Sequence, residues 1–246
     1  MIRSPIHKVL STVKSCSVQF LLTGGQACIL YGAAEFSRDT DIVLLASEDN
    51  IAHLQEALDE LGAEQIFFPP LEIEYLERGH ACHFRCHDAD AEGARLDVLS
   101  RMRGCDPFPA LWDRRTTFDL PDLGDLTALS LQDLVRSKKT QRDKDWPMLR
   151  RLVEVDYLAR RDDADERDIE WWLAELRTPA YLVELARANP EAAGTIAVRP
   201  WLAAAVKAGE AALADELLQE ELRIRKEDGE YWAPLRVELE EMRRAR

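Results

Sequence analysis

The chain has 246 residues, enough for a full core and two lobes. Its 46 acidic against 32 basic side chains leave a net charge of −14, which argues against a protein that coats nucleic acid through bulk positive charge. No apolar run is long enough for a bilayer span, residues 1–7 lack the apolar core of a secretory leader, and the five cysteines lack the spacing of a small disulfide scaffold. A cytoplasmic protein with reduced thiols and no membrane partner is therefore expected.

In chain order, residues 5–15 read as a helix and residues 18–22 as a short apolar strand. Gly24-Gly25 then makes a turn into a helix over about 26–31. Asp39 and Asp41 head the apolar strand run 42–45. Residues 50–62 carry Ile51, Leu54, Leu58 and Leu61 on one helical stripe, with Gly62 as the stop. Strands are expected at 72–76, 81–87 and 94–100, the last two joined as a hairpin by the turn-rich segment 88–93. The proline-containing stretches 106–109 and 120–124 mark the way out of this alternating part, which ends near Phe118.

Everything after Leu126 reads as helical. Ser130 is placed to cap a helix running to about Lys139, and a second helix starts near Asp145 with Pro147 in its permissive first turn. That helix carries Leu149, Leu152, Val153 and Tyr157 at helical spacing. The polar break 160–167 precedes a terminal segment whose Trp171, Trp172, Leu176, Trp201 and Trp232 are expected as helix-packing core. There is no internal repeat. The expected architecture is an α/β (α+β) lobe with a mixed sheet over 1–125, followed by an all-α lobe over 126–246.

The chemistry-bearing residues concentrate in the first lobe. Gly24 and Gly25 can take backbone angles closed to other residues and let the main chain approach a ligand, and a helix start beyond them suits a phosphate anion. Asp39 and Asp41, two apart on a strand, point to one face, where two carboxylates can share hard divalent cations. Asp97 lies among apolar residues of the third expected strand, where a carboxylate needs a partner that a shared magnesium would supply. A second concentration is positive: residues 136–151 hold seven basic side chains against Asp143 and Asp145, a basic island in an acidic chain and a candidate anion site for a triphosphate or an RNA backbone.

The stretch 80–87, with His80, Cys82, His83, Cys86 and His87, is dense enough to raise zinc. Strand alternation sends Cys82 and Cys86 to one face and His83, Arg85 and His87 to the other, so one tetrahedral site would need both faces, and no zinc is expected. The His83 and Arg85 face would then point toward the strand of Asp97, where either residue could touch substrate phosphate or the acceptor. The lysine and hydroxyl of a P-loop and the dinucleotide-binding fingerprint are both missing.

Gly24-Gly25, Ser37 two before the first acid, the Asp39-Thr40-Asp41 pair and the later Asp97 resemble the nucleotidyltransferase superfamily typified by DNA polymerase β and kanamycin nucleotidyltransferase. The run from Lys138 through Lys139, Arg142 and Lys144 to Asp145 is similar to the Lys…Arg-x-Lys-Asp motif of the AbiEii/AbiGii abortive-infection nucleotidyltransferases, toxins of type IV toxin–antitoxin systems. Thr40 departs from the apolar residue usual between the two acids.

The resemblance implies a nucleotidyltransferase-like fold that transfers a nucleoside monophosphate from a triphosphate to an acceptor, with Mg2+ or Mn2+ held by Asp39, Asp41 and Asp97. Gly24, Gly25 and Ser37 would seat the triphosphate. Lys139 or its neighbour Lys138, with Arg142 and Lys144, would neutralise its charge, with the 136–151 segment facing the active site, and Asp145 would orient one of these bases or help the acceptor; the structural alternative for Asp145 is a helix N-cap, and both roles can coexist. The acceptor is left open among an RNA 3′ end such as that of tRNA, a protein side chain and a small hydroxyl compound. The toxin likeness leaves open whether a cognate antitoxin is a further partner. The alternative is a binding or regulatory protein of the same fold without turnover.

Overall fold

The structure is a computed structural model that describes residues 5–244; residues 1–4, on which part of the leader reading rests, lie outside the described residues. The chain divides into two compact units. The first takes the residues up to Ser137 and those from Tyr231 on, and the second is Lys138–Glu230.

The first unit is a mixed seven-stranded sheet with helices. Helix α1 (Pro5–Ser15) buries Val9, Leu10 and Val13. Strand β1 (Phe20–Thr23) leads into α2 (Gly24–Leu30) and β2 (Asp39–Leu44), then α3 (Glu48–Glu60), β3 (Glu64–Gln65) and α4 (Ile73–Arg78). Strands β4 (Cys82–Arg85) and β5 (Arg95–Leu99) follow, then α5 (Phe108–Asp113), β6 (Thr116–Leu120), β7 (Gly124–Ala128) and α6 (Leu131–Ser137). The strand order is β3-β4-β5-β2-β1-β7-β6. Strand β2 runs antiparallel to β1 and parallel to β5, while β4 and β5 form the expected antiparallel hairpin.

Leu21, Leu22, Ile42, Val43, Leu44, Leu96 and Val98 make the sheet's contribution to the core, and all are fully or almost fully buried. The α3 stripe of Ile51, Leu54, Leu58 and Leu61 is buried as its spacing implies. Ser47 caps α3 by accepting the Asn50 N–H, which starts the helix two residues before the expected boundary. Asn50 itself is buried. Its amide donates to the Gln19 and Leu45 carbonyls and accepts from the Gln19 N–H, so one side chain ties the entrance of β1 to the exit of β2.

Three local readings are corrected. Residues 72–76, expected as a strand, lie largely in helix α4. The Leu71-Glu-Ile-Glu-Tyr-Leu76 alternation suits a strand, but Gly79 at φ +103 stops a helical turn in which only Leu76 is buried. The segment 106–109 opens the short helix α5 with a proline in its first turn. Residues 120–124 are the turn of the β6–β7 hairpin, where the Leu123 N–H donates to the Leu120 carbonyl and Gly124 takes φ +62. The expected 125/126 boundary therefore falls inside β7, a strand that pairs with β1, and the first unit runs on to Ser137.

The second unit is helical. It comprises α7 (Asp145–Arg160), α8 (Glu166–Glu175), α9 (Pro179–Ala188), α10 (Pro190–Thr195), α11 (Leu202–Ala208) and the part of α12 (Glu210–Arg244) up to Glu230. Trp172 and Leu176 are fully buried, and Trp172 donates from its indole to Asp156. Glu220 receives Arg177 and Arg199, both buried, which makes a closed ionic cluster among the helices. The closing part of α12 belongs to the first unit, where Glu238 pairs with Arg78 and lies 2.8 Å from the buried His80 imidazole. Among the described residues, no helix is long and apolar enough to cross a membrane.

Candidate active site

Strand register brings the three acids together. Thr23, the last residue of β1, pairs with Asp41, and Asp41 pairs with Asp97 on the next strand, so the two acids stand side by side on adjacent strands whose backbones lie about 4.8 Å apart. Asp39 lies on the same face two residues earlier and pairs with Arg95. The alternate residues of β2 turn the other way: Thr40 and Ile42 are fully buried, which is why the strand tolerates two carboxylates on its outer face.

The two glycines close against this face. Gly24 has φ +64, a conformation that L side chains rarely adopt, and a Cβ built on it would run into the Asp41 carboxylate and stand 2.6 Å from the Asp41 Cβ. A Cβ on Gly25 would stand 2.7 Å from the Ser37 Cβ. Ser37 donates from Oγ to the Asp39 carbonyl at 3.2 Å, and Gln26 donates to the Ser37 carbonyl at 2.9 Å. Gly24 and Gly25 form the first turn of α2 itself, so that helix begins two residues earlier than expected.

Two further side chains stand on Asp97. His83, opposite it on β4, places Nδ1 2.9 Å from Asp97 Oδ1. Arg95 places Nη2 3.3 Å from Oδ1 and 3.4 Å from Oδ2 of Asp97, while its Nη1 lies 3.8 Å from Asp39 Oδ2. One guanidinium thus spans two of the three acids. The sequence reading reached His83 but missed Arg95, although the two-residue period that pairs Asp39 with Asp41 also puts Arg95 beside Asp97.

The donor set fits a hard divalent cation by its chemistry, being three carboxylates on one face with a glycine backbone pressed against them. It is not closed around one as it stands: among the described residues, no three His, Cys, Asp or Glu side chains are grouped as a metal-holding set, and Asp97 is engaged by His83 and Arg95. The Cys82 and Cys86 thiols are buried, and burial pushes them up to about 12 and about 11. The histidines nearby have carboxylate neighbours: His80 lies by Glu238, His83 by Asp97, and His87 by Glu64 and Glu92.

The basic segment has its own internal structure in the helical unit. Asp145 is the first residue of α7 rather than its N-cap, and its side chain makes no cap bond because it is turned to other donors. Thr140 donates to it at 2.6 Å, Arg142 at 2.8 Å and Lys138 at 3.4 Å. Burial alone would raise this carboxyl, but Lys138, Thr140 and Arg142 together hold it below the ordinary carboxylate value. Lys138 is buried in this pair. Lys139 pairs with Glu175 at 2.7 Å, and Arg142 and Lys144 are exposed.

No protein-family profile and no curated protein matches the chain. Among solved structures, a proposed nucleotidyltransferase from H. pylori is similar at 12% identity and a TM-score of 0.43, over 92% of this chain and 94% of that one.

Proposed function

We propose that this protein is a divalent-metal-dependent nucleotidyltransferase that moves a nucleoside monophosphate from a nucleoside triphosphate to an acceptor. The observation that carries the reading is the β2–β5 register: Asp41 opposite Asp97, Asp39 on the same face, and Gly24 closed against the Asp41 carboxylate. Asp39, Asp41 and Asp97 would hold Mg2+ or Mn2+, which when bound supplies charge stabilisation to the attacking and departing oxygens of an in-line displacement. Gly24 leaves room where a side chain would overlap the Asp41 carboxylate, Gly25 leaves room where one would meet Ser37, and Ser37 buttresses that turn through its bond to the Asp39 carbonyl. His83 fixes the orientation of Asp97.

From the motif resemblance, Lys139, Arg142 and Lys144 contribute to triphosphate affinity. Lys138 and Asp145 form the buried clamp that shapes the segment carrying them. The same resemblance supports a toxin role with a cognate antitoxin, the acceptor being an RNA 3′ end, a protein or a small hydroxyl compound.

The test is label transfer from each of the four α-labelled triphosphates, with magnesium, into total RNA and cell extract. Transfer that Asp41→Asn abolishes supports the reading, and no transfer from any triphosphate into either acceptor pool overturns it. The pairing of Arg95 with Asp97 favours one rival, a nucleotide-binding protein without turnover, for which the same experiment gives binding and no transfer.

A further inference from the structure

Arg95 stands where positive charge is most needed and is poorly satisfied there. Its guanidinium serves Asp97 and, at longer range, Asp39, yet its Nε is buried without a hydrogen-bond partner. On its other side, Arg85 is its direct cross-strand neighbour on β4, and like charges placed opposite one another repel. The side chain is about a third exposed and sits at the first residue of β5, so its stem has solvent to turn into. A guanidinium and a divalent cation also seek the same carboxylate oxygens and cannot both occupy them.

From this geometry we infer that Arg95 is a displaceable counter-ion: it neutralises Asp39 and Asp97 while no divalent cation is present, and turns to the phosphates of a triphosphate when the cation takes the carboxylates. The inference rests on the nucleotidyl-transfer reading. It gives Arg95 two successive partners of the same chemical kind, carboxylate oxygen and then phosphate oxygen, each suited to its planar fork. Its consequence is linkage. Metal alone must displace Arg95 and binds weakly, whereas metal with triphosphate gives Arg95 a new partner, so each ligand raises the affinity for the other.

The experiment is a Mn2+ titration of the full chain, followed by the resonance signal of free Mn2+, with and without a nonhydrolysable triphosphate. The variants are Arg95→Gln, which keeps most of the stem and loses the charge, and Arg95→Lys, which keeps the charge. Without nucleotide, Arg95→Gln is expected to bind Mn2+ about tenfold more tightly than the unsubstituted chain, as a competing charged contact is removed, with Arg95→Lys close to the unsubstituted value. With Mn2+ saturating, Arg95→Gln binds the triphosphate about tenfold more weakly. Thermal midpoints give a second readout: Mn2+ raises the midpoint of Arg95→Gln more than that of the unsubstituted chain, even if the variant starts lower. Equal or weaker Mn2+ binding by Arg95→Gln, with Asp41→Asn abolishing the site, overturns the counter-ion role and leaves the nucleotidyl-transfer reading standing. No Mn2+ binding by any of these proteins, with or without triphosphate, overturns that reading and the inference with it.

Discussion

Gly24→Ala is the sharpest perturbation of the proposed site because it adds one methyl group at one defined place. Two costs act together. Holding a non-glycine residue at φ +64 costs roughly 1–2 kcal/mol, and the methyl overlaps Asp41 not only at its mobile carboxylate end but at the anchored Cβ, 2.6 Å away. Rotating the side chain does not relieve that second overlap, so the α2 turn or strand β2 must shift, at a further cost of roughly 1–3 kcal/mol. At about 2–4 °C per kcal/mol for a chain of this size, the thermal midpoint of the first unit should fall by on the order of 5–15 °C. The functional effect should be larger than the loss of stability, since the carboxylate displaced is the one paired with Asp97. Circular dichroism melting and triphosphate titration on the same preparation check both. A Gly24→Ala protein with an unchanged midpoint and unchanged triphosphate binding would refute the close approach of Gly24 to Asp41 and, with it, the seat proposed for the nucleotide.

Asp41→Asn should abolish label transfer while leaving the circular dichroism spectrum unchanged, because it swaps a metal ligand for a neutral group of nearly the same shape. Arg142→Ala should weaken binding of a nonhydrolysable triphosphate about tenfold by calorimetry, the loss of one charged hydrogen bond; an exposed lysine or arginine with no ligand would leave affinity unchanged. Asp145→Ala should destabilise the helical unit by about 3–5 kcal/mol in urea unfolding, because it strands Lys138 as a buried, uncompensated charge. The folded-state value of the Asp145 carboxyl lies below its ordinary 3.8, so its contribution is fully present above that value and is lost as the pH falls through the lower folded one. An acid titration of stability in which Asp145→Ala shows the same loss as the unsubstituted chain would contradict this. Cys105, pushed up to about 12 chiefly by burial and also by Asp133, should resist alkylation at pH 8 in the native protein, by peptide mass mapping.

How much of this was legible in the sequence depended on whether a segment carried one period or two. Helix α3 repeats its apolar stripe over thirteen residues, β5 alternates cleanly around Asp97, and β2 alternates over its first four residues before its apolar run, so the elements and the face shared by Asp39 and Asp41 could be read directly. Residues 72–76 were too short for either period to prevail, and the decision passed to Gly79, whose left-handed conformation ends a helix. The β6–β7 hairpin was hidden by its own turn. Pro121 and Gly124 punctuate a hairpin and a linker alike, and only the pairing of β7 with β1 distinguishes them. Arg95 escaped for a different reason: a lone arginine after a glycine turn reads as solvated surface, and its role emerges only when β2 is set beside β5.

The closing turns of α12 bring the order of synthesis into the fold. Residues from 231 on belong with the sheet, yet they leave the ribosome only after the whole helical unit has been made. Until then Glu238 is not there to meet Arg78 and the buried His80, which lies two residues before the strand whose His83 holds Asp97. The nascent sheet therefore waits for the whole helical unit before its histidine-bearing side is complete, although the strands of that sheet were made first.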